Sequence, residues 1–263
     1  MTQAIQKKLN DSAFARWTAL ILVALTMFFG YMFVDVLSPL QNMLESTRGW
    51  SPTIFGLYGG SEFILNVCGF LLVAGIILDK MGVRFTGILS ASLMVLGAGI
   101  KFYGLSNYFY EGGFGYEFLS SFLTDIPASA KLACLGFMIF GCGTEMAGVT
   151  VSRAIVKWFT GKELALAMGL EMAIARLGVF AVFSLSPWVA NWGGDPSVAR
   201  PVAVVGLLLC IGLLTYIAFS VMDFKLDRQT EADTPIGETE EPFKVADLKN
   251  LFSSKTFLIV SAL

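Results

Sequence analysis

Six stretches of the chain are apolar almost throughout, and polar residues gather between them. They cover residues 17–37, 54–78, 85–103, 132–156, 164–189 and 202–222. An α-helix needs about 20 mostly apolar residues to cross the roughly 30 Å hydrocarbon layer of a bilayer. Each stretch meets that length, so the pattern predicts six spanning helices. A seventh apolar run opens at Thr256 and continues to Leu263. Residues 1–222 are therefore expected to form an all-α, polytopic membrane bundle. Residues 223–254 read as a polar surface linker whose later part, 243–252, has helical apolar spacing, and 255–263 read as the start of a seventh span. Six spans, a linker and the opening of a seventh describe the N-terminal half of something larger, so a missing C-terminal half is an expected partner.

The basic residues orient these spans. With the N-terminus in the cytosol, the inner side holds Lys7, Lys8, Arg16, Lys80, Arg84, Arg153, Lys157, Lys162, Lys225, Arg228, Lys244, Lys249 and Lys255. The outer side holds only Arg48, Lys101, Lys131 and Arg200, and Arg176 lies within a span. Lys and Arg collect on the cytosolic side of membrane proteins, so the bias predicts a cytosolic N-terminus and linker. Ser51 is placed to cap span two, with Pro52 at its first helical position. The long external segment 104–130, rich in Gly, Tyr and Phe, reads as an aromatic interfacial loop.

Composition narrows the function classes. Charged residues make up 14% and hydrophobic residues 56%, against about 25% charged in soluble domains. Mean hydropathy is +0.71, so the lipid bilayer is the surrounding medium. There is no histidine, which removes His-ligated zinc, Ser-His catalysis and His proton relays. Cys68, Cys134, Cys142 and Cys210 all lie in apolar stretches and form no C-x-x-C pair, so they read as small core residues. Nothing here calls for a metal or cofactor, and an enzyme is not expected. The net charge of -2 gives no basic excess for a nucleic-acid partner.

Between spans two and three stands Gly75-Ile-Ile-Leu-Asp79-Lys80-Met-Gly82-Val83-Arg84. It resembles the loop signature G-x-x-x-D-[RK]-x-G-x-[RK] of the major facilitator superfamily, whose members often carry a basic residue where Val83 stands. The resemblance implies the N-terminal six-helix half of that fold and a conformational latch. Its glycines, Gly75 and Gly82, permit a tight turn and close helix approach. Asp79 would pair with Arg84, or with Arg153 at the cytosolic end of span four, where simple snorkelling of Arg153 is the alternative. Within the superfamily, Phe140-Gly-Cys-Gly-Thr-Glu145, Ser152-Arg153, the junction 157–170 and Met172-Ala-Ile-Ala-Arg176-Leu-Gly178 look like the branch of lysosomal dipeptide uniporters and their bacterial relatives.

Depth singles out two charges independently of that likeness. Span four has its midpoint near Thr144, which puts Glu145 about 1.5 Å from the midplane, and span five has its midpoint near Arg176. Intramembrane charges cost free energy unless paired or hydrated, and transporters place substrate near the midplane. A purely structural Glu145–Arg176 bridge is the competing reading. Otherwise the pair suits a small zwitterion, Glu145 holding an ammonium and Arg176 clamping a carboxylate. The branch resemblance implies a dipeptide held by its termini. Glu62 and Asn66, one turn apart on span two, are further candidates to line the cavity, or else hold helices together. Asp35 sits at the outer end of span one, where a gating or helix-end role is expected. Glu171 lies about 7.5 Å below Arg176 along the axis. At five residues' separation it does not share a face with Arg176, so it is not assigned to substrate. The expected function is alternating-access transport. The alternative is proton-coupled symport of an organic anion, with Glu145 or Glu62 carrying the proton. The short tail 1–15 lacks an acidic dileucine sorting signal, which favours a bacterial inner membrane over a lysosome.

Overall fold

A computed structural model describes residues 8–231. The possible amphipathic end of the linker and the seventh apolar run lie outside the described residues. A short 3₁₀ turn, Leu9–Asp11, leads into helix α1, Ala13–Val34. Ser12 caps α1 by accepting from the Ala15 amide at 3.5 Å. Helix α2, Gln41–Arg48, follows and ends on Gly49 in the left-handed region. Helix α3, Pro52–Leu65, begins as its sequence dictates. Ser51 accepts from the Ile54 amide, and Pro52 occupies the first turn, where no donor is needed.

A π turn, Asn66–Phe70, with Gly69 at φ 107°, interrupts span two. The chain resumes as α4, Leu71–Leu105. The apolar pattern alone reads span two as unbroken, because one extra residue in a turn leaves no mark on a continuous hydrophobic run. Five helical stretches are long and apolar enough to cross a membrane, and one, Pro52–Leu105, is 54 residues long. A straight helix of that length would measure about 81 Å, far beyond a bilayer of roughly 30 Å. Gly82 resolves this. Its φ of 75° and ψ of 173° break the helix, a conformation that favours glycine. Arg48, just before α3, donates to the carbonyl of Leu105 at 3.0 Å. Both ends of the 54-residue stretch therefore meet at one end of the bundle, and the stretch is a hairpin of two spans. The total is six.

Two short helices, α5 at Asn107–Tyr110 and α6 at Tyr116–Ser120, occupy the long loop. Lys131 fastens α6 by donating to the carbonyls of Leu119 and Phe122. Helices α7, Ala128–Phe159, α8, Leu164–Ala190, and α9, Ala199–Glu231, complete the bundle. Helix α9 carries on past Met222 as far as Glu231. No strand occurs among the described residues. Helix α7 lies against α3 and α4, while α1 lies against α8 and α9 and α4 also meets α9.

Small residues set the α4–α7 spacing. A Cβ added at Gly97 would stand 2.5 Å from the carbonyl oxygen of Gly136, and one at Gly136 would stand 2.6 Å from that of Gly97. Seven residues on, one at Gly143 would stand 2.6 Å from the carbonyl oxygen of Ser90. Two turns separate successive contacts, so they run along one seam. In lipid, such close backbone packing replaces the hydrophobic drive that assembles soluble cores. The outside is correspondingly apolar, with Phe180, Leu207 and Leu214 all more than 60% exposed.

Charged contacts confirm the up-and-down order. Where α1 begins, Arg16 meets Glu163 at 3.1 Å, Lys162 meets Asp11 at 3.0 Å, and the Leu9 amide donates to Gln229 at 2.7 Å. The hydrogen bond from Lys162 holds the Asp11 carboxyl below the usual carboxylate range. At the opposite end Trp50 donates to Ser129 at 3.0 Å.

Candidate functional site

Six spans built this way leave an opening beside α1, α7 and α8. Glu145 lies within about 3 Å of the middle of α7, and Arg176 is one residue from the middle of α8. Met27 and Tyr31 of α1, Gly148 and Ser152 of α7, and Glu171, Met172, Ala175 and Arg176 of α8 line a cavity of about 180 Å³. Glu145 stands one turn beyond Gly148 on the same side of α7. The Arg176 guanidinium lies 5.0 Å from the centre of the Tyr31 ring, a cation–π contact.

Arg176 is exposed and Glu145 half-buried. Among the described residues no ion pair joins them, and neither has a carboxylate–cation contact within 4 Å. The structural bridge weighed from the sequence is thus absent here, and both charges stand open at matching depth. Glu171 is brought to the same cavity as Arg176, although five residues separate them. The rows 171/175 and 172/176 run side by side on α8, and the cavity borders both.

Glu62 and Asn66 are placed elsewhere. Glu62 is buried against α7, and a Cβ at Gly141 would come within 2.2 Å of its carbonyl oxygen. Asn66 donates to that carbonyl at 3.3 Å and leaves its own Oδ1 without a hydrogen bond. Neither borders the Arg176 cavity. Glu62 instead feels the charges of Lys101, Glu145 and Asp35.

Lys101 is the residue that sequence reading missed. The rule that span ends are wet placed it at the outer surface, yet it is 0% exposed. Its ammonium sits 4.3, 4.5 and 5.0 Å from the rings of Phe33, Phe137 and Tyr58, and donates to the Phe33 carbonyl at 3.5 Å. The signal was present in the spacing, because Lys101 falls on the same buried stripe as Ala91, Met94 and Ala98.

At the Gly82 end, Asp79 pairs with Arg153. Arg84 turns to α9 instead, 3.3 Å from Asp227 and 4.0 Å from Asp223. Asp223 is 1% exposed and fully served: it takes Lys157 at 2.8 Å and the indole N–H of Trp158 at 2.9 Å. Gly82 makes the turn, whereas nothing lies within 4 Å of a Cβ built at Gly75.

Comparison with known proteins follows this geometry. The family model for the Major Facilitator Superfamily matches residues 23–263. The chain is similar to the lysosomal dipeptide transporter MFSD1 of Gallus gallus, 34% identical over 130 residues, covering 48% of this chain and 29% of that protein. It is similar to MFSD1 of Pongo abelii, 25% identical over 256 residues, or 93% of this chain and 49% of that protein. It is 28% identical to MFSD1 of Homo sapiens over 131 residues, 47% of this chain and 28% of that protein. The chain spans about half the length of the curated relatives it matches. With six lipid-exposed spans and a profile match over most of its length, the chain is a multi-pass integral membrane protein and belongs to the major facilitator superfamily.

Proposed function

We propose that this chain supplies one six-span half of a transporter that moves small zwitterions, dipeptides foremost, by alternating access. The observation that carries the reading is the open pair, Glu145 and Arg176, at matching depth on α7 and α8 with no ion pair between them. Two buried charges that do not satisfy each other need a ligand or water that satisfies both. A dipeptide offers an ammonium for Glu145 and a carboxylate for a two-pronged Arg176 contact. The printed name of the MFSD1 relatives points the same way. A second half facing this one would close the cavity, which fits the alignment that covers 49% of the Pongo abelii protein. The excess of Lys and Arg where α1 begins supports a cytosolic N-terminus.

One observation favours a second reading, proton-coupled symport. Glu62 is only 5% exposed and shares its surroundings with fully buried Lys101. A proton reaching that cluster would change the net charge of a sealed part of the bundle. Uptake of labelled dipeptide by liposomes carrying the full-length protein separates the readings. Saturable uptake indifferent to a pH gradient is expected. Uptake that follows an inward proton gradient would favour symport, and no uptake under either condition would overturn dipeptide transport.

The latch gives a further expected result. Asp79→Asn removes the partner of Arg153 but lies far from the midplane. Exchange should slow several-fold, while dipeptide affinity stays within about twofold of wild type, since exposed pairs contribute about 0–1 kcal/mol. Counterflow rates and equilibrium binding would check this. Lost binding with normal exchange would contradict it.

A further inference from the structure

We infer that Glu171 reads the side chain of the bound dipeptide's C-terminal residue and selects a basic one. This rests on the dipeptide reading of Glu145 and Arg176 and extends it to specificity. Glu171 is 9% exposed, yet among the described residues its carboxylate has no hydrogen bond and no ion-pair partner. A carboxylate so enclosed is costly unless a cation or donor compensates it. The protein supplies none, although Arg176 borders the same cavity. The compensation is then expected from a ligand.

The cavity's shape says which part of a ligand reaches it. At about 180 Å³, against about 30 Å³ for one water molecule, it holds a side chain rather than a whole dipeptide. Arg176 stands at one end and Glu171 lies about 7.5 Å further along α8, toward Leu164. A peptide carboxylate on Arg176 puts the C-terminal residue at the cavity's mouth. A lysine there has a flexible four-carbon stem to cover the drop and an ammonium to meet Glu171. The walls fit both parts. Met27 and Met172 are pliant apolar surfaces for the stem. The Ser152 hydroxyl already donates to Gly148 at 2.9 Å, which leaves its oxygen lone pairs as a second acceptor for the ammonium. Charges also balance. Glu145, Arg176 and Glu171 face the α-ammonium, carboxylate and side-chain ammonium of an X-Lys dipeptide in turn. A neutral side chain leaves Glu171 uncompensated.

Binding to the purified full-length protein, by thermal shift and competition, tests this with four ligands: Ala-Ala, Ala-Lys, Lys-Ala and Ala-norleucine. Norleucine has the lysine stem without its charge. Wild type should bind Ala-Lys at least tenfold more tightly than Ala-Ala or Ala-norleucine. In Glu171→Gln the ratio of Ala-Lys to Ala-Ala should fall to within about twofold, while the ratio of Lys-Ala to Ala-Ala should not change. If Ala-norleucine equals Ala-Lys in wild type, the inference is overturned with no variant needed. If Glu171→Gln weakens all four ligands equally, Glu171 is structural and the inference is again overturned. In both cases Ala-Ala binding that depends on Arg176 leaves the dipeptide reading standing. If wild type binds none of the four, the dipeptide reading fails and takes this inference with it.

Discussion

Glu145→Gln and Arg176→Gln, made singly in the full-length protein, are each expected to weaken dipeptide binding by roughly 30-fold or more. The figure follows from removing one member of a desolvated charge contact with a ligand, which costs about 2–5 kcal/mol, at about 1.4 kcal/mol per tenfold. Ligand chemistry then separates the two roles. Capping the amine of a dipeptide removes the partner of Glu145, and amidating its carboxylate removes the partner of Arg176. Wild type should reject both modified ligands. Glu145→Gln should discriminate less against the N-capped ligand, and Arg176→Gln less against the amide. Because no ion pair joins the two side chains in the structure, neither variant should lose much stability. Thermal shift on purified variants reads both quantities. Equal loss for every ligand with a lowered melting temperature would restore the helix-bridging role and sink the substrate site.

The second large effect concerns folding. Gly97→Ala and Gly136→Ala should each destabilise the bundle by about 3 kcal/mol, the upper part of the usual overpacking range. The reason is that the added methyl meets backbone rather than a movable side chain, at 2.5 and 2.6 Å respectively. Helices α4 and α7 would have to part along the whole seam. The double variant should cost less than the two singles together, because separated helices accommodate both methyls. Gly99→Ala is the control. Nothing lies within 4 Å of its added Cβ, and alanine is the better helix former by up to about 1 kcal/mol. Melting temperatures in detergent should fall for the seam variants and hold or rise for the control. A fall equal in all three would refute the packing argument.

How much of this was readable beforehand depends on which physical signal each feature leaves. The spans were legible because lipid demands about 20 apolar residues from every crossing. The cap at Ser51 and the turn at Gly82 were legible because few residue types fit those positions. The depth of Glu145 and Arg176 followed from counting along two helices. Rotation about the helix axis was harder. Lys101 was read by its distance from the span end, although its place on a buried stripe decided the outcome. Glu171 was set aside by treating one helix face as a single row, whereas the cavity spans two. The partners of Arg84 could not be read at all, since Asp223 and Asp227 lie more than 130 residues away along the chain and only packing brings α9 to α4. The π turn at residues 66–70 was equally silent, because an apolar run hides a shift in phase.

The glycine seam between α4 and α7 also governs how such a bundle can move. Backbone touches backbone at Gly97 and Gly136, so the two helices have a single register. A slip of one turn, about 5.4 Å, would bring Met94 or Lys101 to the place where only glycine fits. Ratcheting of one helix past the other is therefore barred, and α4 and α7 must travel together as a rigid lever. Any displacement that Glu145 undergoes on α7 is then carried at once to Lys101 on α4, with no slack between them.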